Sequence, residues 1–141
     1  MINTTLHQYS HKVGLNFWHL EWCTKYRYNM MSKEEIKNLV EATIRKAAHE
    51  HEIEIHIIQV MPDHVHLLVS LPRGMLDSKA LMLLKGRSAY LIFRNREHVR
   101  LRYPQGHFWA AGGTAITVGY NDFNSAYNYI ENQVQHHGLE A

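Results

Sequence analysis

The chain has 141 residues, of which 45% are apolar, 11% aromatic and 20% charged, a balance that fits one globular domain over 1–141 and excludes disordered and fibrous classes. Cys23 is the only cysteine, which excludes an internal disulfide and a thiolate zinc cluster. The formal net charge is +2, no apolar run reaches membrane-spanning length, and the first residues lack the regions of a signal peptide, so a cytoplasmic protein is expected.

In chain order, Val13 to Cys23 is rich in aromatic and apolar residues and predicts a strand. Ser32, with Glu35 three residues later, has the form of a capping box. Behind it Ile36, Leu39, Val40, Ile44, Ala47 and Ala48 form a 3.6-period stripe, predicting a helix from about Lys33 to His51. Ile53, Ile55 and Ile57 then alternate with Glu54, His56 and Ile58. After the turn signal Met61-Pro62-Asp63 comes the run His64 to Leu71, and the two runs predict an antiparallel hairpin.

A second helix is expected from Asp77 or Ser78 towards Asn95, with Gly86 as a local weakness. Thr114 to Val118 predicts a fourth strand, interrupted or bulged by Gly112-Gly113, and a last helix spans about Asp122 to His136. The order β-α-β-β-α-β-α is that of an α+β, ferredoxin-like (RRM-like) split βαβ antiparallel sheet plus a carboxy-terminal helix. The sheet body covers about 13–120 and the terminal helix 121–137. Two helices cover one sheet face, and the other face is expected to be free for function.

Strand alternation places His64 and His66 on the same face, with Val65, Leu67, Val69 and Leu71 turned towards the helices. Two imidazoles on an open face are the start of a metal site. The other His-x-His, His49-Glu50-His51, falls at a helix end where i and i+2 point apart. On the terminal helix Phe123, Ala126, Tyr127, Ile130 and Val134 form the buried stripe. Tyr129 lies off it with Gln133 one turn later, an arrangement that also suits an amphipathic surface pair or a dimer contact. Together the features suggest one reaction: a tyrosine hydroxyl attacks a DNA phosphate and a divalent ion stabilises the added charge.

Several residues carry a resemblance that spans nearly the whole chain. They are Lys25-Tyr26-Arg27, Asp63-His64-Val65-His66-Leu67-Leu68, Leu84-Lys85-Gly86-Arg87-Ser88 and Tyr129-Ile130-Glu131-Asn132-Gln133. With these the chain resembles the HUH-type single-tyrosine transposases of the insertion-sequence 200/605 group (IS200-like transposases). The resemblance implies that His64, His66 and Gln133 hold Mg²⁺ or Mn²⁺ and that Tyr129 is the nucleophile. It also implies a homodimer that cleaves and rejoins single-stranded DNA with hairpin ends through a 5′-phosphotyrosine.

Between Arg73 and Arg102 cations outnumber Asp77 and Glu97, which suits either a phosphate-binding surface or a solvated helix and loop. Lys25, Arg27, Lys85 and Arg87 are the first candidates for DNA contact, with Arg73 and Lys79 second. Three other readings stay open: a domesticated HUH endonuclease acting on repeated palindromes, a non-catalytic ferredoxin-like nucleic-acid-binding module, and a structural zinc site. Glutamine and the lack of thiolate partners weigh against the last.

Overall fold

The structure, a computed structural model, describes residues 16–133. Its elements are β1 (Phe17–Cys23), α1 (Glu34–Glu50), β2 (Glu54–Val60), β3 (His64–Ser70), α2 (Asp77–Asn95), β4 (Thr114–Val118) and α3 (Phe123–Glu131). The strands form one sheet in the order β2-β3-β1-β4, each neighbour antiparallel to the next. This is the ferredoxin-like α+β fold. The predicted strands and helices are all present among the described residues, α2 with the expected bounds, while Val13 to Leu15 of the first predicted strand fall outside those residues.

Two of the local expectations fail. Lys33, not Ser32, stands at the start of α1 and makes no side-chain cap, while Ser32 closes a preceding 3₁₀ turn. Glu35 is drawn away to Arg96, whose Nε donates to its carboxylate at 2.8 Å. The alternation in β2 breaks at a bulge between Ile55 and Ile57. An extra residue in one strand turns the side chains beyond it to the opposite face. Ile58 therefore joins the main core, and Ile57 packs on the other side of the sheet.

The main core lies between the sheet and the helices α1 and α2. Val65, Leu67, Val69 and Leu71 all belong to it, as do Leu20 and Trp22 from β1 and the α1 stripe from Ile36 to Ala48. Each buried Val, Leu or Ile among them contributes about 1.5–3 kcal/mol of transfer free energy. Beyond α2, Trp109 is pinned by a bond from its Nε1 to Ser88 Oγ at 2.9 Å. Lys85 donates to Ala110 O at 2.7 Å and also to Gly112 O. Lys85 and Ser88 thus hold the loop that leads into β4.

The other face is not left open. The helix α3 lies across it, burying Phe123 and Ile130 against Phe17, Leu68 and Val118, with Ile57, Ala126 and Tyr127 at the margin. The free-face expectation is therefore corrected. The apolar stripe of α3 needs a surface to bury, and the apolar half of this sheet face supplies it. Val134 and His136 fall outside the described residues.

Candidate active site

Antiparallel pairing of β1 with β3 sets Glu21 opposite His66 and Cys23 opposite His64. Side chains on facing positions of one sheet face are near neighbours, so His19 and Glu21 share the face of His64 and His66. The two motif histidines turn their Nε2 atoms towards each other at 3.2 Å. Both are buried, 8% and 3% exposed.

Their Nδ1 atoms have separate partners. His64 Nδ1 lies 2.7 Å from Asp63 Oδ1, and His66 Nδ1 lies 3.1 Å from His19 Nε2 and 3.5 Å from Glu21 Oε1. Asp63 is held in its charged form. Burial works to raise its pKa, but hydrogen bonds from His64 and Arg27 together outweigh burial and lower it. An ionised Asp63 accepts the His64 Nδ1 proton and so leaves His64 Nε2 as an acceptor.

Two proton arrangements satisfy the rest. In one, His19 donates to His66 Nδ1 and His66 Nε2–H donates to His64. In the other, His66 Nδ1–H donates to Glu21 or His19, and two Nε2 lone pairs then face one point. The second needs a cation at that point. Burial lowers the His19 pKa, with Glu21 opposing it.

The residues fit a divalent ion. Two cis ligands at about 2.1 Å from an octahedral ion lie about 3.0 Å apart, close to the observed nitrogen spacing. Carboxylates behind ligating imidazoles are the usual outer shell of such sites. The structure also brings donor atoms of His19, Glu21 and His66 within 4.8 Å of one another.

Tyr129 stands beside this group. Its ring centroid is 6.3 Å from that of His66 and 6.0 Å from that of His19, and it is 56% exposed. Tyr127 turns the other way, into the margin of the small core. Gln133 is buried, and its Nε2 donates to Tyr129 O at 3.2 Å. The structure therefore gathers His64, His66 and Tyr129 in one place, with Gln133 one turn beyond Tyr129.

The basic candidates divide. Arg27 pairs with Asp63 at 3.0 Å and so touches the histidine group. Lys25 and Lys85 line one groove of about 350 Å³ with Gly106, Phe108 and Trp109. Arg87 sits on α2, across the sheet from the histidines, and forks onto Glu50 at 2.9 and 3.2 Å. Arg73 and Lys79 come after the Ser70 end of β3, the end away from His64. Sequence reasoning missed His19 and Glu21. Their i, i+2 spacing in a strand was a signal for one face, but only the β1–β3 register shows which face.

The pattern of the family described as "Transposase IS200 like" matches residues 12–133. The chain is 32% identical over 116 residues to the ISDra2 transposase TnpA of Deinococcus radiodurans, covering 82% of each chain. It is 26% identical over 118 residues to the transposase for insertion sequence element IS200 of Salmonella typhimurium, covering 84% of this chain and 76% of that one. In solved structures it is similar to a candidate transposase from Deinococcus radiodurans R1, with a TM-score of 0.65 at 31% identity over 83% of this chain and 89% of that one. The same fold, TM-score 0.65 at 17% identity over 88% and 69%, occurs in a REP-associated tyrosine transposase solved bound to a REP hairpin. With the match running through both strand and terminal-helix motifs, this chain belongs to the family of IS200-like transposases.

Proposed function

We propose that this transposase cuts and rejoins single-stranded DNA at insertion-sequence ends, with Tyr129 as nucleophile and His64, His66 and Gln133 as ligands of Mg²⁺ or Mn²⁺. The observation that carries the reading is the opposed His64 and His66 Nε2 pair at 3.2 Å, with the Tyr129 ring beside it. When bound, the ion polarises the scissile phosphate and offsets the charge that builds on its oxygens.

The remaining work falls to side chains. Tyr129 Oη forms a bond to phosphorus as the bond to the 3′ oxygen breaks. The tyrosine loses its proton, the departing 3′ oxygen gains one, and the 5′ phosphate stays on the protein. Rejoining is the reverse attack by a 3′-hydroxyl on the phosphotyrosine, so no external energy source is required. Asp63 fixes the His64 ring through Nδ1, and His19 at 3.1 Å, with Glu21 at 3.5 Å, flanks Nδ1 of His66. Lys25, Arg27 and Lys85, at the histidine end of the sheet, take backbone phosphates. Arg87, Arg73 and Lys79 would meet a longer DNA segment that wraps the body.

The hairpin-bound relative of the same fold supports hairpin DNA as the partner, and family membership supports action as a homodimer. A domesticated endonuclease acting on repeated palindromes would use the same residues, and the likeness to the REP-associated protein favours keeping it as the second reading. The deciding experiment incubates the protein with labelled single-stranded hairpins bearing degenerate flanks, in Mn²⁺ or in EDTA, and resolves products on a denaturing protein gel. A metal-dependent band that yields a phosphotyrosine peptide supports the reading. Hairpin binding without any adduct would move the protein to the non-catalytic binding class.

A further inference from the structure

The turn that leaves β1 has an unusual backbone. Tyr26 and Arg27 have φ values of 63° and 54°, in the left-handed region that non-glycine residues seldom occupy. Such strain persists only where the surroundings over-determine it, and it concentrates at functional sites. Here Thr24 N donates to Asp63 O at 2.9 Å, Lys25 N to Phe108 O at 2.8 Å and Arg27 N to Thr24 O at 3.0 Å. Thr24 Oγ1 adds a bond to Tyr28 O at 2.7 Å.

The outcome is a displayed aromatic ring. Tyr26 is 54% exposed. Its inner side lies parallel to buried Tyr103, centroids 6.4 Å apart and planes at 9°, and Tyr28 abuts it at 5.3 Å. Cations surround the group. Lys25 Nζ is 5.4 Å from the Tyr26 centroid, the Arg102 guanidinium is 4.5 Å from that of Tyr28, and the Arg27 side chain is 63% exposed. A core tyrosine would be covered, and a solvated turn would not hold a bulky residue at positive φ. An aromatic face ringed by cations matches an unpaired base with its flanking phosphates. A duplex, whose bases are already stacked, cannot use it.

The turn also adjoins the proposed centre. Cys23, three residues before Tyr26, is opposite His64. Arg27 bonds Asp63, which in turn accepts from His64. We infer that Tyr26 is a stacking platform for one unpaired base of single-stranded DNA, holding the strand beside the histidine centre while Lys25 and Arg27 take the neighbouring phosphates. This rests on the single-strand reading above.

The test uses the full chain carrying Tyr129→Phe, in EDTA, so that neither metal nor adduct chemistry enters the result. The probe is a short thymidine strand with one central 2-aminopurine, whose fluorescence falls when it stacks. Binding should quench the probe. Tyr26→Ala should weaken binding about 5- to 100-fold and remove the quench. Tyr26→Trp should restore both. Tyr26→Gly, which suits the positive φ, should melt no lower than the parent and yet bind as weakly as the alanine variant. An alanine variant that binds and quenches like the parent would overturn the inference, as would a tryptophan variant as weak as alanine. Because the assay needs no cleavage, loss of the platform and loss of the strand-transfer reading are separable outcomes.

Discussion

The ring of Tyr129 stands edge-on to that of His66, with planes at 86°, and it keeps 56% of its surface exposed. An exposed hydroxyl contributes little to stability, since surface changes usually stay within about 0.5 kcal/mol. Tyr129→Phe should therefore melt within about 2 °C of wild type, bind hairpin DNA normally and form no adduct. Tyr127 is the control. It stacks on Phe123 with centroids 6.3 Å apart and planes at 28°, so its position asks for bulk. Tyr127→Phe should keep adduct formation, while Tyr127→Ala should lose about 1–3 kcal/mol of stability. Adduct gels and thermal melts on the same preparations check all three.

Metal binding separates the two ligand sets that the geometry offers. Mn²⁺ at one hundred times its dissociation constant should stabilise the fold by about 2.7 kcal/mol, a rise in melting temperature of about 5–10 °C. His64→Ala and His66→Ala should each remove that rise, and Gln133→Ala should remove most of it. Asp63→Asn should weaken affinity about 10- to 100-fold, because Asp63 orients a ligand without being one. Glu21→Gln should act like Asp63→Asn. If Glu21→Gln erases the shift and Gln133→Ala leaves it whole, the ion belongs to His19, Glu21 and His66.

Where the sequence was legible, one period and one face decided the matter. The α1 stripe and the Val65–Leu71 alternation each have a single solution, and both ended in the main core. Tyr127 and Tyr129 were told apart by two positions on one helix. What was illegible depended on partners distant in sequence. Lys85 reads as a solvated cation until the loop at Ala110 is placed under its ammonium. Burial there also lowers its pKa. Glu35 looks like half of a cap until Arg96, on the far side of the hairpin and α2, reaches it. The Tyr26 turn gave no glycine or asparagine to announce a positive φ, because tertiary hydrogen bonds impose it.

His56 gives the protein a pH dependence independent of the proposed chemistry. Its ring packs edge-on against both Phe17 and Phe123, with centroids 5.7 and 5.0 Å away, and its Nε2 meets Ser70 Oγ at 2.6 Å. Burial pushes its pKa down to about 4 from 6.5. The unfolded chain therefore takes up this proton at a higher pH than the folded one. The stabilising contribution is whole above pH 6.5, declines as the pH falls and is exhausted below about 4. The full loss is on the order of 3 kcal/mol. Urea midpoints at pH 7 and pH 5 should differ by more in wild type than in His56→Leu. Equal differences in the two proteins would assign the pH dependence to another group.

Three glycines should respond to alanine in a fixed order. Gly113, next to β4, has φ of 146°, and a Cβ there would lie 3.0 Å from Glu21 O and 3.3 Å from Trp22 Cβ. Both the conformation and the space oppose a side chain, and the obstructing atom is strand backbone beneath the histidine centre. Gly113→Ala should cost about 1–3 kcal/mol and should also weaken Mn²⁺ binding, since relief requires β1 to shift at Glu21. Gly112 has φ of 79° with nothing within 4 Å of the added carbon, so Gly112→Ala should cost only the left-handed penalty, about 1 kcal/mol. Gly86 lies inside α2 with nothing within 4 Å and no positive φ. Gly86→Ala should stabilise by about 0.5–1 kcal/mol, because helical alanine loses less backbone entropy than glycine. Chemical denaturation of the three variants measures the order. A Gly113→Ala protein as stable as Gly86→Ala would mean that the Glu21 strand yields freely at this contact.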